Sequence, residues 1–456
     1  MGVDQDTAKE LQELKENNLI GFPNKRVASY FNDSTFIPKR LAEDVAEEMP
    51  VVNDGIHLYT YQRGYFAPGG RLKIRKLAQK KLDEEARRNR IEEVIYHLES
   101  HRLIDPEELN EDSSHINLKN GLLKWKTGEI KDHTPDQLST IQIPVTYDPE
   151  ATCPKFDEFL KGVVPPDTIP MVHEMMGYLL IPETDLEKAF MLTGTGANGK
   201  STLLYAIEKL IGQANIANVP LQELESNRFK KALLYGKLAN IFADLSSRVM
   251  EGSSAFKTLV SGDRIDGEFK GKDSFSFTPF AKLIFSANEL PGSTELGTSF
   301  FRRWEVIDFP NQFTGSQKKQ GLKYEITTEE ELSGILNHAV EGLKRLYDKG
   351  EFTPSESSRK RKELFERESD NVLAFVDEEC IFNPDARVYT KKVYQEYKEW
   401  CFENSYKPLG KKKFNNRLTA KHPELTKKRD RGQPEHWQGI GLLVNEQETD
   451  KGDVIL

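Results

Sequence analysis

The residues best suited to chemistry in this chain lie in the string GTGANGKST, Gly194 to Thr202. From Gly194 to Ser201 the spacing is G-x-x-x-x-G-K-S, the pattern of a phosphate-binding P-loop. Glycines at 194, 196 and 199 are expected to give the backbone conformations that a side chain would block. The amides of Gly194, Thr195, Gly196, Ala197, Asn198 and Gly199 can then turn toward phosphate oxygens, and a helix starting near Lys200 adds its positive end. Lys200 would set a point charge on the β- and γ-phosphates, the Ser201 hydroxyl would ligate Mg²⁺, and Thr202 completes the cradle. The expected cofactors are therefore ATP and Mg²⁺.

Further candidates follow in chain order. Asp244 ends the apolar run LANIFA, where a carboxylate off the end of a strand can hold Mg²⁺ together with Ser201. A second acid beside it is absent, since Ala243 and Leu245 flank it, so the group that polarises the attacking water stays open between Glu251 and Asp263. Asn288 ends a second apolar run, AKLIFSA, and can orient that water or sense the γ-phosphate. Between the two runs, Ile265 to Phe277 reads as a hairpin whose tip carries Lys270 and Lys272, placed to grip phosphates. Arg302 and Arg303 precede a further strand, and a guanidinium supplied in trans raises rates in known nucleotidases by roughly 10³ to 10⁵.

These residues need a sheet to hold them. Ala189–Leu192, Leu238–Ala243 and Leu283–Phe285 read as buried strands. Leu203, Leu204, Ile207, Leu210 and Ile211 recur at helix spacing after the P-loop, so the class is α/β. Upstream, Phe36, Ile37, Leu41 and Val45 share one helix face, and His57 to Pro68 reads as a hairpin around Gly64. The run KIRKLAQKKLDEEARRNR is read as a solvated helix face, because Asp83, Glu84 and Glu85 interrupt it. His115 to Leu160 predicts two short strands and then a helix from about Pro154, and Val172 to Ile181 an apolar helix. SESSRKRKELFERESDN reads as a linker or linker helix.

A formal net charge of -9 argues against a uniformly basic protein, yet it hides a local patch. Lys407, Lys411, Lys412, Lys413, Arg417, Lys421, Lys427, Lys428, Arg429 and Arg431 are opposed in their segment only by Glu424 and Asp430. With helices around Val393–Cys401 and Phe414–Leu418 and a closing strand at His436–Val444, this segment reads as a winged-helix DNA-binding domain, with Lys411, Lys412, Lys413 and Arg417 as DNA contacts. No apolar run is long enough to span a bilayer, the first residues are polar, and Cys153, Cys380 and Cys401 lack metal-ligand spacing. A cytoplasmic protein with no membrane partner is expected.

The order of P-loop, single-acid strand, lysine hairpin, Asn-ended strand and double arginine resembles that of superfamily 3 helicases. It is most similar to the helicase part of phage and plasmid primase-helicases, a group related to the poxvirus primase-helicase. The strings INLKNGLL, YDPEATCPKFDEFL, TGTGANGKSTLL, GKLANIFADL and AKLIFSANELPG carry the resemblance, from about His115 to Pro310. It implies an AAA+-like P-loop ATPase core (166–345) behind a mainly helical N-terminal domain with small β elements (1–165). A linker (346–371), a winged-helix-like domain (372–445) and a disordered tail (446–456) would follow. It also implies a homo-oligomeric ring, usually a hexamer, that moves 3′ to 5′ on single-stranded DNA and opens forked DNA during replication in a bacterial host. Lys200, Asp244, Asn288 and an arginine at 302 or 303 would be its catalytic set, and Lys270 and Lys272 its pore hairpin. The first 120 or so residues show no primase carboxylate cluster, so the expectation is a helicase working with a separate primase or polymerase. A small-molecule P-loop nucleotidase and an ATP-switched origin-binding initiator are the alternatives.

Overall fold

The structure, a computed structural model, describes residues 25–245, 252–287, 298–315, 319–404 and 406–443. The first unit packs three helices, α1 (Pro38–Glu48), α2 (Gly70–Leu82) and α3 (Arg88–His101), through the apolar positions that recur at helix spacing. An antiparallel sheet of β1 (Val51–Asn53), β2 (Leu58–Gln62) and β3 (Tyr65–Ala67) lies beside them. β2 and β3 form the expected hairpin, with Arg63 (φ 52°) and Gly64 (φ 93°) both in the left-handed region that a tight hairpin turn requires. Most of the charged run is a solvated face, with Arg75 and the preceding Arg71 paired to Glu92 and Arg71 also to Glu99; Lys81 departs from the expectation, being buried against Asp44 and Glu48.

Next comes a meander of β4 (His115–Leu118), β5 (Gly121–Lys124) and β6 (Glu129–Lys131), one strand more than the sequence suggests. The extra strand is fully exposed, so its side chains EIK carry no alternation to read. The inner side chains of β4 and β5 share one core with α4 (Pro154–Val163), α5 (Ile169–Tyr178) and α6 (Lys200–Ile211). The expected seam at residue 165 is therefore not a physical boundary. Ile116, Phe156, Ile207 and Leu343 belong to one continuous apolar cluster.

The central sheet contains β7 (Ala189–Thr193), β8 (Ile216–Ala217) and β9 (Ala239–Phe242). After helix α7 (Ser254–Ser261) and a separate hairpin of β10 (Ile265–Glu268) and β11 (Ser274–Phe277), it is completed by β12 (Lys282–Ala287) and β13 (Trp304–Asp308). All five of its strands are parallel, in the order β8–β9–β12–β7–β13. Both faces are covered, as a parallel sheet demands. Phe190 and Leu192 of β7 enter the cluster with α4, α5, α6 and α8 (Glu329–Lys349). Ala189 and Met191 face a second cluster with Phe256, Trp304 and Phe365. Because the strands run in one direction, the loops after β7, β9, β12 and β13 emerge at one edge, where ligands sit in such sheets.

The segment read as a linker or linker helix is a helix, α9 (Glu356–Ser369), docked on the core. Its Phe365 is fully buried in the second cluster, and the Ser358 hydroxyl donates to the Val306 carbonyl of β13 at 2.6 Å. Its charges conceal this in the sequence, since very few of its side chains are large and apolar. The last unit runs α10 (Asn371–Glu379), β14 (Cys380–Tyr389), α11 (Thr390–Glu403), α12 (Lys411–Lys421), β15 (Thr426–Lys428) and β16 (His436–Leu442). Its sheet is ordered β14–β16–β15 over a core that includes Phe375, Tyr397, Phe414 and Trp437. The expected disordered tail lies outside the described residues.

One core residue carries a prediction. Lys282 opens β12 at 2 % exposure, donates to the Ile181 carbonyl and stands 4.9 Å from the Tyr178 ring centroid. Burial pulls its ammonium down to about 7, while Glu183 and Asp185 act the other way. In the unfolded chain a lysine titrates near ~10.4. Between these values the unfolded state holds the extra proton, so this group's contribution to stability rises with pH across that window and is withheld below it. Lys282→Met is expected to flatten that rise when melting temperature is measured from pH 7 to about 10. An unchanged slope would show that the buried amine does not titrate there.

Candidate functional site

The P-loop leaves β7 at Thr193. Gly194 has φ 141°, and a Cβ there would lie 2.5 Å from the Phe309 carbonyl oxygen. Gly199 has φ 98°, and its Cβ would meet Val163 of α4 at 2.6 Å. Both positions therefore need glycine. Gly196 does not: a Cβ there meets nothing within 4 Å, and the left-handed residue beside it is Ala197, φ 59°. The loop is braced from the chain after β13, where the Phe313 amide donates to the Ala197 carbonyl at 2.8 Å and Gln312 Nε2 to Gly196 O at 3.3 Å. Asn198 is buried, and its Oδ1 accepts from the Lys200 amide at 3.4 Å. Thr195 and Ser201 are exposed, and Thr202 is half-buried.

Lys200 is 5 % exposed, and its Nζ donates to the Gly194 carbonyl. Burial pulls its ammonium below the ordinary lysine value, and the carboxylates of Asp244 and Asp308 pull it back. The sheet thus brings Lys200 into the field of the expected Asp244. Asp244 lies just beyond β9, exposed, at φ 56°. Its amide points at Ser286 Oγ, 3.3 Å away, and the Leu245 amide donates to the Ser286 carbonyl at 2.8 Å. Aspartate tolerates the left-handed region better than most residues, so the turn is held by β12 while its carboxylate faces solvent. Asn288 and Glu251 lie outside the described residues; β12 itself ends beside the P-loop strand, with Ala287 in register with Thr193. Asp263 is exposed in the loop that closes α7.

Two residues of this edge escape the sequence reading. Thr193 Oγ1 donates to Asp308 Oδ1 at 3.1 Å, and Arg361 Nε reaches Thr193 Oγ1 at 3.1 Å and Asp308 Oδ1 at 3.6 Å. Asp308 had a signal, an acid ending a buried strand. Arg361 had none, since it sits among the charges of α9 and arrives only because that helix docks on β13.

The arginine pair divides. Arg302 has a side chain 59 % exposed, with Nη2 2.7 Å from Glu187 Oε2. Arg303 is 9 % exposed and donates to the Ser299 carbonyl at 2.6 Å and to Ser261 Oγ at 2.8 Å, with Glu187 at 3.2 Å. The lysine hairpin forms as expected, with Glu268 opposite Ser274. Both lysines are exposed, and Lys272 Nζ also donates to the Ile56 carbonyl of the first unit at 3.0 Å.

In the last unit Lys411, Lys412 and Lys413 are exposed on the first turn of α12, where the helix dipole adds to their positive potential. Arg417 corrects the sequence reading. Its Nε is 2.6 Å from Asp370 Oδ2, and Asp370 is 4 % exposed and caps α10. Helical spacing sets Arg417 beside the core residues Phe414 and Leu418, so it ties α12 to α10. A cavity of about 710 Å³ opens beside the P-loop, walled by Phe159 and Val163 of α4, by Phe313 and Leu322, and rimmed by Lys319 and Lys323. Its size and apolar walls suit a base and ribose adjoining the phosphate loop.

Three family models match successive stretches of the chain. One described as D5 N terminal like covers residues 29–165, one described as Family of unknown function (DUF5906) covers 192–303, and one described as Poxvirus D5 protein-like covers 367–442. The family likeness thus begins well before His115. The chain is 24% identical over 232 residues to "Putative helicase L207/L206" of Acanthamoeba polyphaga mimivirus, a match over 47% of this chain and 24% of that protein. It is 22% identical over 235 residues to "Putative helicase 022R" of Frog virus 3 (isolate Goorha), again over 47% and 24%. The matches span about a quarter of the length of these viral relatives. Among solved structures, "The A form apo structure of NrS-1 C terminal region-CTR" is similar in fold, with TM-score 0.51 and 13% identity over 89% of this chain and 99% of that one. Among the described residues no helix is long and apolar enough to cross a membrane. With a P-loop pattern at the edge of a parallel sheet and D5-type matches on either side of it, the chain is similar to the primase-helicases of phages and viruses.

Proposed function

We propose that this chain is an ATP-dependent DNA helicase whose AAA+-like core assembles into a ring, usually a hexamer, moves 3′ to 5′ on single-stranded DNA and unwinds duplex. The observation that carries the reading is the shared edge of the sheet, where the P-loop amides, Lys200, Asp244 and Asp308 converge. ATP would lie along the P-loop with its base in the adjoining cavity. Ser201 and Asp244 fit a hard cation, being exposed oxygen donors beside the phosphate cradle, and would hold Mg²⁺. The ion would neutralise charge on the β- and γ-phosphates. Chemistry at such a site is mostly positioning: Lys200 holds the phosphates, while Arg361 and Asp308 fix the strand end from which the loop departs. Arg302 has the exposure that an arginine finger offered to a neighbouring subunit needs, which makes hydrolysis depend on assembly.

The Lys270 hairpin and Lys411, Lys412 and Lys413 would contact phosphates and not bases. The order α10–β14–α11–α12–β15–β16 supports a winged-helix reading of the last unit. A separate primase or polymerase would act beside this motor.

ATPase rate is expected to rise strongly with single-stranded DNA at low salt and to lose that stimulation as salt increases. DNA affinity should fall with a log–log slope of about -0.7 per phosphate contacted. A rate indifferent to DNA would move the assignment to a small-molecule nucleotidase. Sequence-specific duplex binding with negligible turnover would favour an ATP-switched initiator, which the basic last unit keeps as the second reading.

A further inference from the structure

A second cavity, of about 430 Å³, lies between the first unit, the core and the tip of the lysine hairpin. Its walls include His57 and Tyr65 from the first unit, Leu233, Tyr235 and Lys237 from the core, and Phe269 from the hairpin tip. The rings are ordered flat surfaces. His57 stacks on Tyr235 with centroids 6.0 Å apart and planes at 17°, meets Phe269 edge-on at 5.4 Å, and Phe269 stacks on Phe275 at 5.2 Å and 13°.

Polar groups around the rings are arranged for an electron-rich, anionic guest. The nearby carboxylate, Asp54, is 3 % exposed and occupied by the hydroxyls of Tyr59 and Tyr235, at 2.9 and 2.8 Å, so its charge is enclosed. The Lys237 ammonium is held on the Ala214 carbonyl in the wall. His57 Nδ1 is buried without a hydrogen-bond partner. Outside the cavity the tip sequence FKGKD, Phe269 to Asp273, sets two lysines against one acid.

Flat aromatic surfaces beside a cationic track are the chemistry by which proteins bind single strands, with bases on the rings and phosphates on the lysines. The volume lies in the range of roughly 300 to 1,000 Å³ usual for small-ligand pockets. We infer that this cavity receives one nucleobase of a single-stranded nucleic acid, with the flanking phosphates on Lys270 and Lys272. A free nucleotide shares the chemistry of the base. The strand is chosen because the two lysines lie on the tip outside the cavity, where a continuing backbone would pass. The inference rests on the reading that the hairpin grips a strand, and it adds a station where the first unit shares that grip.

The test compares the full chain's affinity for oligothymidylate with that for an abasic oligonucleotide of equal length, which keeps the phosphates and removes the bases. Wild type should prefer the base-bearing strand by about tenfold. Phe269→Ala should lose the preference while keeping affinity for the abasic strand. Leu233→Glu, at a side chain 44 % exposed on the cavity wall, should lose it too without a change in melting temperature. Equal, salt-sensitive binding of both oligonucleotides by wild type would overturn the cavity assignment and leave the motor reading standing. No binding of either would overturn the motor reading and the inference together. Binding of free thymidine monophosphate as tight as that of the oligonucleotide would overturn the strand as occupant.

Discussion

Lys200→Ala is expected to lower the ATPase rate by at least ~10²-fold, the usual effect of removing one preorganised donor from a developing charge. The replacement should not unfold the protein. Lys200 is buried and its charge is already disfavoured there, so the apolar side chain costs the fold little. Its Nζ donates to the Gly194 carbonyl. The distinguishing pair of measurements is phosphate release with single-stranded DNA and the thermal melt of the same preparation. Hydrolysis should vanish while the melting temperature holds or rises. Undiminished hydrolysis would remove the P-loop from the reaction and with it the proposed function.

The second large effect separates the two neighbouring arginines. Arg302→Ala is expected to lower the rate by roughly 10³-fold or more, the range measured when an arginine finger is lost, with nucleotide affinity and melting temperature near wild type. Arg303→Ala should act through the fold. It removes the hydrogen bonds to Ser299 and Ser261 and the ion pair with Glu187, each such bond being worth about 0.5–1.5 kcal/mol. A finger acts on the neighbour's ATP, so mixing inactive Arg302→Ala and inactive Lys200→Ala chains should restore part of the activity, because some interfaces then pair an intact P-loop with an intact arginine. Absence of any rescue in mixed oligomers, or full activity of Arg302→Ala, would remove Arg302 from that role. A normally folded but inactive Arg303→Ala would transfer it to the neighbour.

Much of the P-loop edge was legible because it is written in local chemistry. The loop from Gly194 to Ser201 needs glycine where carbonyls and α4 crowd the backbone, and its flanking apolar runs match a strand and a helix. The lysine hairpin was legible from alternation and glycine placement, and Asp244 from its place after a buried run. Gly196 shows the limit of that logic, since among the described residues nothing lies within 4 Å of a Cβ placed there.

What the sequence determined by itself, then, is the identity of the P-loop and hairpin segments and the α/β class that supports them, since periodicity and turn chemistry act over a few residues. Only the tertiary structure decided which distant side chains join them. Strand order placed β12 between the P-loop strand and the strand of Asp244, and β13 on the other side, which carries Asp308 to Thr193. Docking of one phenylalanine, Phe365, packed an expected linker or linker helix onto the core and delivered Arg361 to the same point. Burial also divided like from like: Arg302 stays exposed while Arg303 braces the fold, and Lys411 to Lys413 stay exposed while Arg417 is committed to Asp370. Adjacent residues of one type share a sequence context, but only packing determines which of them gives its charge to the protein interior.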